Sequence, residues 1–483
     1  ELGYAGSQAT LLLDHRASET GVELRERFEQ LHEREFGYRR SRLAIEARSI
    51  RLRYELAAPP LRRQGRTTPE RAKLPELESV AMFAKGRVHS VHPRHIESLR
   101  DGQAVDGPAI ILAATTTVTV DPGWRAQLFD HADEGEILRL HRIGRAEATP
   151  LYDRTGQDSI SLELFNRRFA SIADEMGIVL QRTAASTNIR ERLDFSCAVF
   201  DADGRLVANA PHIPVHLGSM SETVQAVAAA HPHAKPGSAY VSNDPSAGGS
   251  HLPDITVVSP VFDDDGREIL FWSASRGHHA DVGGSAPGSM TPRATNVDEE
   301  GVLFDNFKIV DEGRFCEQEL VELLTNHPYP ARNPHQNVAD LSAQIAANEK
   351  GIQELRKMVT HFGLDVVQAY MGHVQDNAEE SVRRVIEALK DSEYEYPTDQ
   401  GSVIKVKITV DKSKREATVD FTGTSGVKPN NFNAPEPVTR AAILYCFRVM
   451  VDGDIPMNAG CLKPINIIIP DDCMLRPSYP AAV

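Results

Sequence analysis

The sequence predicts a multidomain α+β protein, in which a β-rich N-terminal unit is followed by a mixed α/β domain with a helical hairpin. Its 483 residues exceed the usual length of one domain. Apolar residues alternate with period two in several stretches before residue 145, whereas long stretches of helical periodicity follow a composition change near residue 158. We therefore expect one domain over 1–145, a linker over 146–157 and a second domain over 158–483.

The N-terminal unit is predicted to contain one helix and several short strands. Thr20 to Phe36 shows helical spacing, and Gly37 suits the end of that helix because glycine adopts left-handed backbone conformations readily. Alternation predicts a strand from Ser49 to Leu56, and β-rich segments run from Gly107 to about Arg142. Residue types typical of a catalytic site are not concentrated in this unit.

The second domain opens with a strong helix signal. Ser159 to Arg182 carries an apolar stripe at helical spacing, with Asp158 or Ser159 as its N-cap. Further along the chain, residues 338–362 and 365–389 each show the same periodicity and are separated by a glycine. These two segments predict a helical hairpin.

A β-hairpin is predicted at the centre of the second domain. The apolar runs 255–262 and 269–275 are typical of buried strands, and Asp263-Asp-Asp-Gly-Arg between them is typical of a turn. A hairpin of this length brings its outer ends together at one edge of a sheet. Side chains in the two flanking loops are therefore expected to be neighbours.

Both flanking loops combine imidazole, carboxylate and glycine. The first carries His251 and Asp254, and the second carries His278, His279 and Asp281. Nitrogen and oxygen ligands with an open position for water are typical of hard or borderline divalent metal sites. Alternatively, these residues only cap strands and complete turns. Two such groups on one hairpin favour a site.

Two further segments hold polar residues whose role the sequence leaves open. His212 and His216 lie four residues apart, but Pro211 and Pro214 argue against a helical arrangement of the two imidazoles. They could line a pocket as loop residues or have structural roles. Gln344, in the first helix of the predicted hairpin, could reach a ligand, although an exposed position is the default expectation.

Charge and cysteine content restrict the partners. A net charge of −15 argues against nucleic acid or an anionic membrane, and no apolar run is long enough to cross a bilayer. The five cysteines are scattered without a Cys-x-x-Cys pair, which favours a cytoplasmic location over a disulfide framework. No P-loop and no GxGxxG motif after a strand occurs in the sequence.

Several motifs resemble the hydantoinase A/B family, which includes the ATP-dependent 5-oxoprolinases. The run from Leu162 to Val483 is similar to the hydantoinase B half, and residues 1–145 are similar to the C-terminal part of the A half. The motifs that carry the resemblance are Tyr4-Ala-Gly, Phe36-Gly-Tyr, Gly107-Pro-Ala-Ile, the segment from Gln181 to Ala198, Asn209-Ala-Pro-His-Ile-Pro-Val-His-Leu-Gly, Gly248-Gly-Ser-His-Leu-Pro-Asp, Ser275-Arg-Gly-His-His-Ala-Asp-Val-Gly-Gly, the segment from Gly363 to His373 and Asn458-Ala-Gly-Cys-Leu.

The resemblance implies an ATP-dependent hydrolase that opens the lactam of 5-oxo-L-proline to L-glutamate. It implies ATP with Mg in a nucleotide-binding part of the A half that these residues do not include. It also implies a divalent metal, Mn, Zn or Fe, in the B half. We expect a homo-oligomer and, because both ends look cut, a piece of a longer polypeptide that is inactive by itself.

The resemblance and the neighbouring motif loops also suggest roles for individual residues. The implied metal ligands are His251, Asp254 and His278. The candidates for catalytic roles or alternative ligands are His279, Asp281 and Asp244. The candidates for substrate binding are Arg190, Arg192, Arg276 and Asn243.

Two alternatives to this function remain open at the level of sequence. An N-methylhydantoinase or an ATP-dependent ketone carboxylase subunit would share the metal loops. A non-catalytic assembly fragment would use the histidines only structurally.

Overall fold

The computed structural model describes residues 1–5, 10–15, 18–40, 42–52, 77–131, 135–143, 155–209, 213–453, 455 and 457–483. The chain divides into two compact units, one of Glu1–Ile50 with Arg154–Val483 and the other of Arg51–Asp153. The mixed α/β class with a β-rich N-terminal region is confirmed. The first fifty residues pack with the larger unit, so the compact units divide the chain differently from the predicted sequence segments. Most of the predicted linker lies outside the described residues.

The N-terminal part of the larger unit forms a two-stranded antiparallel sheet and one helix, which lies between the two strands in the chain. Strand β1 (Leu2–Tyr4) pairs antiparallel with β2 (Ile45–Ala47), and helix α1 covers Gly21–Phe36. Gly37 has a φ of 78° and ends the helix, as predicted. The strand predicted from Ser49 does not form over residues 49–52, and its remaining residues lie outside the described ranges.

The smaller unit is β-rich, which confirms the prediction for residues 107–142. Its described strands are β3 (Val80–Ala84), β4 (Arg87–Val91), β5 (Arg94–His95), β6 (Ala104–Asp106), β7 (Ala109–Leu112), β8 (Thr117–Val120), β9 (Trp124–His131) and β10 (Gly135–Arg142). They form a β3–β4 hairpin and two three-stranded sheets of order β5-β7-β8 and β10-β9-β6 in the described part of the unit. Leu99, Ile111 and Val120 are central in its apolar core.

A large antiparallel sheet is the centre of the larger unit. Its strands are β11 (Phe195–Phe200), β12 (Leu206–Asn209), β13 (Ala239–Ser242), β14 (Asp254–Phe262), β15 (Ile269–His278), β16 (Phe307–Asp311) and β17 (Arg314–Phe315). Within the described chain the strand order is β12-β11-β15-β14-β13-β16-β17. The predicted hairpin is thus the central pair β14–β15.

Helices cover both faces of this sheet. They are α2 (Ser159–Thr183), α3 (Thr187–Arg190), α4 (Pro214–Ala230), α5 (Glu317–Thr325), α6 (Pro334–Phe362) and α7 (Leu364–Ala388). Val257 packs in the core that contains α6, whereas its neighbour Val258 packs in the core that contains α4. Every residue of β14 is buried for this reason. The predicted α6–α7 hairpin and the Asp158 cap of α2 are confirmed.

The exposed position expected for Gln344 is wrong. Its side chain is fully buried, and its amide nitrogen Nε2 donates to the main-chain oxygens of Ile255 at 2.8 Å and Ser275 at 3.0 Å. One turn further, Asn348 Nδ2 donates to the Val257 oxygen at 3.0 Å. Since α6 lies directly on the β14–β15 pair, its polar side chains bind strand carbonyl groups.

A second, smaller sheet follows in the last part of the chain. It contains β18 (Ser392–Pro397), β19 (Val403–Asp411), β20 (Glu416–Asp420) and β21 (Ile465–Ile468), in that order, and α8 (Glu436–Val449) precedes β21. Its apolar face packs on α7 and α8 through residues such as Val382, Val419 and Phe447. Among the described residues, no helix is long and apolar enough to cross a membrane.

Glu349 lies where α6 contacts the end of α1. A Cβ added to Gly37 would lie 3.2 Å from Glu349 Oε2, so the glycine permits both the left-handed turn and this close approach. Burial raises the pKa of the Glu349 carboxyl to about 7. The folded state therefore holds a proton that the unfolded chain releases between about pH 4.3 and 7.

The substitution Glu349→Gln is expected to reduce the pH dependence of stability. Because the folded pKa is raised, the stabilising contribution of Glu349 is present at low pH and is lost as the pH rises towards 7. The decrease in unfolding free energy between pH 5 and 8 should therefore become smaller by about 1–3 kcal/mol. Urea unfolding at pH 5 and at pH 8 measures this change in unfolding free energy. Glu354→Gln is the control on the same helix, because Lys350 and Lys357 lower the pKa of Glu354 despite partial burial; an equal effect in both variants would contradict the prediction.

Candidate metal centre

The β14–β15 hairpin brings three of the predicted ligands together at one end of the sheet. Asp254 begins β14, His278 ends β15, and the two residues are opposite each other in the strand register. His251 lies in the loop immediately before β14. One ligand atom from each of these three side chains lies within 4.8 Å of the others.

The Asp254 carboxylate connects the two imidazoles. Its Oδ1 is 3.0 Å from Nδ1 of His278 and 3.1 Å from Nε2 of His251. Asp254 is buried, whereas the two histidine side chains are 30% (His251) and 16% (His278) exposed. Solvent can therefore reach both imidazoles, whereas the carboxylate that they contact is buried.

A second layer of donors holds the other carboxylate oxygen. Nε2 of His216 is 3.2 Å from Asp254 Oδ2, the Ser250 hydroxyl donates to the same oxygen, and Nδ1 of His216 is 3.1 Å from Ser196 Oγ. Burial alone would raise the pKa of Asp254, but His216 and His251 hold it well below its usual range. The carboxylate is therefore ionised and fixed in orientation.

His216 lies in the first turn of a helix. The prolines argue against a helical arrangement of His212 and His216, and α4 begins at Pro214, in a position where the missing N–H has no helical partner to lose. His216 follows in the same turn and points into the cluster. His212 lies outside the described residues.

The three side chains fit a divalent metal. Two imidazoles and one carboxylate are a common ligand set for Zn, Mn and Fe. The His216 and Ser250 contacts with Asp254 resemble the outer contacts that orient metal ligands.

Asp194 lies at the edge of the cluster. Its Oδ2 is 4.0 Å from His278 Nδ1, and its main-chain oxygen accepts the His278 N–H at 2.9 Å. The preceding Leu193 has a φ of 56°, a left-handed conformation that is uncommon for a non-glycine residue and is concentrated at functional sites. Asp194 is one of several charged residues before β11, and its distance from the hairpin along the chain gives no sign that it adjoins the cluster.

His279 lies on the opposite side of β15 from the cluster. Asn337 Nδ2 donates to its Nδ1 at 3.1 Å, and Gln344 Oε1 lies 3.0 Å from its Nε2. A donor at Nδ1 and an acceptor at Nε2 fix the neutral tautomer that carries its proton on Nε2. Burial lowers the pKa of His279. Both ring nitrogens are satisfied by amides of α6, so this imidazole joins the helix to the sheet.

Asp281 and Asp244 organise loops. Asp281 accepts from the main-chain N–H groups of Gly283, Gly288 and Arg332 at 2.9–3.1 Å and from the Arg332 guanidinium at 2.7 Å. Partial burial would raise the pKa of Asp281, but these donors lower it. Asp244 accepts from the N–H and hydroxyl of Ser246 at 2.8 and 2.7 Å. Neither carboxylate belongs to the His–Asp–His cluster.

Two of the four predicted substrate-binding residues, Arg276 and Asn243, lie in the protein interior. Arg276 is fully buried, and burial lowers its pKa to about 10. It donates to Thr256, Ser219, Thr223 and the Gly248 oxygen at 2.5–2.9 Å.

Asn243 is also fully buried, and it bonds the main chain of Leu252, Val302 and Phe304 at 2.7–3.0 Å. Arg190 and Arg192 are exposed at α3 and just after it. These contacts identify Asn243 and Arg276 as parts of the interior that support the loops of the site.

A cavity of about 350 Å³ adjoins the cluster at His251. Glu300 also lines the cavity, and the sequence around it contains no motif that indicates a site. Burial raises the pKa of the Glu300 carboxyl to about 7, although the Val483 N–H donates to it at 3.0 Å. The cavity therefore combines a candidate ligand with a carboxyl group that titrates near neutral pH.

The chain belongs to the hydantoinase/oxoprolinase family. Residues 158–483 match the family described as hydantoinase B/oxoprolinase, and residues 28–142 match the hydantoinase/oxoprolinase C-terminal domain. The resemblance seen in the sequence motifs is therefore confirmed.

Similar proteins include several named 5-oxoprolinases. The chain is 43% identical to 5-oxoprolinase 1 of Arabidopsis thaliana over 83% of its own length and 33% of the relative. It is 41% identical to the 5-oxoprolinase of Dictyostelium discoideum over 94% and 36%, respectively. For the 5-oxoprolinase of Saccharomyces cerevisiae the identity is 37% over 100% and 39%. The chain spans about a third of the length of these relatives.

Two solved structures share the fold. The ATP-dependent caprolactamase from Pseudomonas jessenii aligns with a TM-score of 0.59 at 24% identity, over 67% of this chain and 56% of that one. Nucleotide-free acetone carboxylase aligns with a TM-score of 0.61 at 16% identity, over 68% and 45%. At these identities the likeness concerns the fold.

His216→Ala is expected to weaken metal binding without abolishing it. The variant removes the imidazole that orients Asp254 Oδ2, and loss of such an outer contact lowers metal affinity by about 10–100-fold. Competition with a chelator measures the affinity. His231→Ala is the control at the other end of α4, because its Nε2 bonds the Asn306 oxygen at 2.8 Å, away from the cluster. Unchanged affinity in folded His216→Ala would show that the outer contact is not needed.

Proposed function

We propose that this chain is part of an ATP-dependent 5-oxoprolinase, which opens the lactam of 5-oxo-L-proline to L-glutamate. The observation that carries the proposal is the His251–Asp254–His278 cluster beside a small cavity, in a chain of the hydantoinase/oxoprolinase family. The names of the relatives support the substrate.

The chemistry explains a need for ATP. A five-membered lactam is a poor electrophile, because attack on its carbonyl carbon must break amide resonance. Transfer of a phosphoryl group from ATP to the lactam oxygen releases ADP and makes that oxygen a leaving group. Water then adds to the carbon, and the C–N bond breaks as the nitrogen takes up a proton, which leaves an acyl phosphate. A second water hydrolyses the acyl phosphate to the carboxylate and phosphate. The nucleotide site, with ATP and Mg, is proposed to lie in a hydantoinase A-type part outside residues 1–483.

The B-type domain is proposed to act on the activated lactam. A divalent ion such as Mn, Zn or Fe would supply a Lewis acid and lower the pKa of a bound water to about 7. His251, Asp254 and His278 are the residues proposed to hold it, with Asp194 close enough to contribute an oxygen after a small movement. Glu300 lines the same cavity and is suited to hold or release a proton near neutral pH.

The remaining predicted site residues are proposed to position the site. His279 joins β15 to α6, Asp281 fixes the loop that leads to Glu300, and Asp244 shapes the turn before His251. Arg276 supports the same glycine-rich loop through its contact with the Gly248 oxygen. The exposed Arg190 and Arg192 stay candidates for binding the substrate carboxylate.

Metal analysis tests the cluster. The purified chain is expected to contain close to one Mn, Zn or Fe per molecule, and His251→Ala and His278→Ala are expected to lose it while circular dichroism stays unchanged. Plasma mass spectrometry gives the metal content. His233→Ala, at an exposed histidine, is the control and should retain the metal. A chain that takes up no divalent metal on titration would refute the metal site and favour purely structural histidines.

Substrate-stimulated ATP hydrolysis tests the reaction. In the full-length protein that contains this chain, 5-oxo-L-proline is expected to increase ADP formation and to yield glutamate in equal amount. Residues 1–483 by themselves are expected to be inactive. Stimulation by N-methylhydantoin but not by 5-oxo-L-proline would identify a hydantoinase instead, and turnover by residues 1–483 alone would refute the separate nucleotide site.

A further inference from the structure

We propose that the outward face of helix α8 is a docking surface for a part of the full-length polypeptide that lies outside residues 1–483. The inference rests on one element of the proposed function, namely that this chain is part of a longer protein, and it does not depend on the substrate. It concerns a helix that supplies none of the residues of the metal cluster.

Helix α8 (Glu436–Val449) is apolar on two opposite faces. One face is buried and packs in the core of the second sheet through Ile443, Leu444 and Phe447. The opposite face forms an outer stripe at helical spacing, which consists of Val438, Ala442, Tyr445, Cys446 and Val449.

The outer stripe is open to solvent among the described residues. Tyr445 and Val449 are 45% and 59% exposed, and Ala442 and Cys446 are also exposed. A helix on a protein surface normally carries polar side chains on the side away from the core, whereas a helix that is apolar on all sides is normally buried. The stripe is therefore typical of a helix that another element covers.

The absence of charged residues from the stripe favours a permanent contact. Permanent interfaces resemble a protein core, whereas transient ones are as polar as the rest of the surface. Burial would also protect the thiol of Cys446, because an exposed free cysteine is open to oxidation. A partner that is always present explains both features.

The size of the stripe favours an attached segment over a second copy of the chain. Helix α8 has 14 residues. At 1.5 Å per residue and a diameter of about 10 Å, one face of such a helix covers about 200 Å². Stable interfaces between separate proteins bury about 800 Å² on each partner. A segment of the same polypeptide needs a smaller area, because the covalent link keeps it at a high local concentration.

The relatives contain enough polypeptide to supply this segment. The chain spans about a third of the length of the named 5-oxoprolinases. A protein of that length has about two-thirds of its residues outside this chain. The occupant of the stripe is therefore assigned to that part of the polypeptide.

Helix α8 also packs directly on α4, the helix that carries His216. A Cβ added to Gly218 would lie 2.2 Å from the Ala441 Cα, so the two helices are in contact at their backbones. His216 precedes Gly218 by two residues and contacts Asp254 of the metal cluster. A segment docked on α8 would thus support the helix that provides an outer contact of the cluster.

Cys446 allows a direct test, because it lies in the stripe and the other four cysteines are buried. The full-length protein is treated with N-ethylmaleimide, either native or unfolded in urea, and is then digested with trypsin. Cleavage after Arg440 and Arg448 releases residues 441–448, in which Cys446 is the single cysteine. In the native protein we expect labelling of Cys446 to be at least about tenfold slower than in the unfolded protein, since a covered thiol is shielded from the reagent.

Ala442→Asp is expected to restore fast labelling of Cys446. A carboxylate at the centre of the stripe opposes burial because it has no partner there. Ile178→Asp is the matched control, since it places the same charge on an exposed apolar residue of α2, and it should leave Cys446 protected. Slow labelling of the buried Cys461 verifies in each variant that the fold persists.

A photo-crosslink identifies the occupant. In Tyr445→p-benzoylphenylalanine the crosslinked peptide is expected to come from outside residues 1–483, in a product that keeps the mass of a single chain on a denaturing gel. A product of twice that mass, a peptide from within residues 1–483 or labelling of Cys446 at the unfolded rate would each overturn the proposal. These measurements use neither ATP nor 5-oxo-L-proline, so their outcome is independent of whether the proposed reaction is observed.

Discussion

The buried carboxylate of Asp254 is the constraint on which the rest of this site depends. An ionised carboxylate in a protein interior is stable only when charged or hydrogen-bonding partners surround it. His251 and His278 face one oxygen, while His216 and Ser250 face the other. Three parts of the fold, helix α4, strand β15 and the loop before β14, are therefore tied to a single side chain, and the two outer imidazoles remain partly open to a ligand.

The sheet provides the rigid support that such a cluster needs. Because β14 and β15 are the central pair and helices cover both faces, the ends of these strands have little freedom to move. Amides of α6 reinforce this arrangement, since Gln344 binds strand carbonyl groups and the His279 ring together. Polar side chains on the buried face of α6 thus hold the helix to the sheet through hydrogen bonds. Because His279 takes part in these bonds, it points away from the candidate ligand that precedes it in the sequence.

The cavity joins this rigid support to the last part of the chain. His251 and the loop that ends at Glu300 form one wall of the cavity, and Asn431 and Phe432 form the other. The two walls are connected by the bond from Asn431 to Thr291. The shape of the cavity therefore depends on how the segment before α8 packs against the hairpin loops.

The sequence alone determined the fold class, the α6–α7 hairpin and the meeting of the two motif loops at the hairpin end, because periodicity and local spacing report on neighbours along the chain. The choice of His251, Asp254 and His278 within those loops came from the family resemblance. Tertiary structure decided which side of β15 each histidine faces, and it brought His216, Asp194, Glu300 and Asn431 to the site from distant segments. Those placements depend on how helices and loops pack on the sheet. The pattern of residues around each position carries no record of that packing.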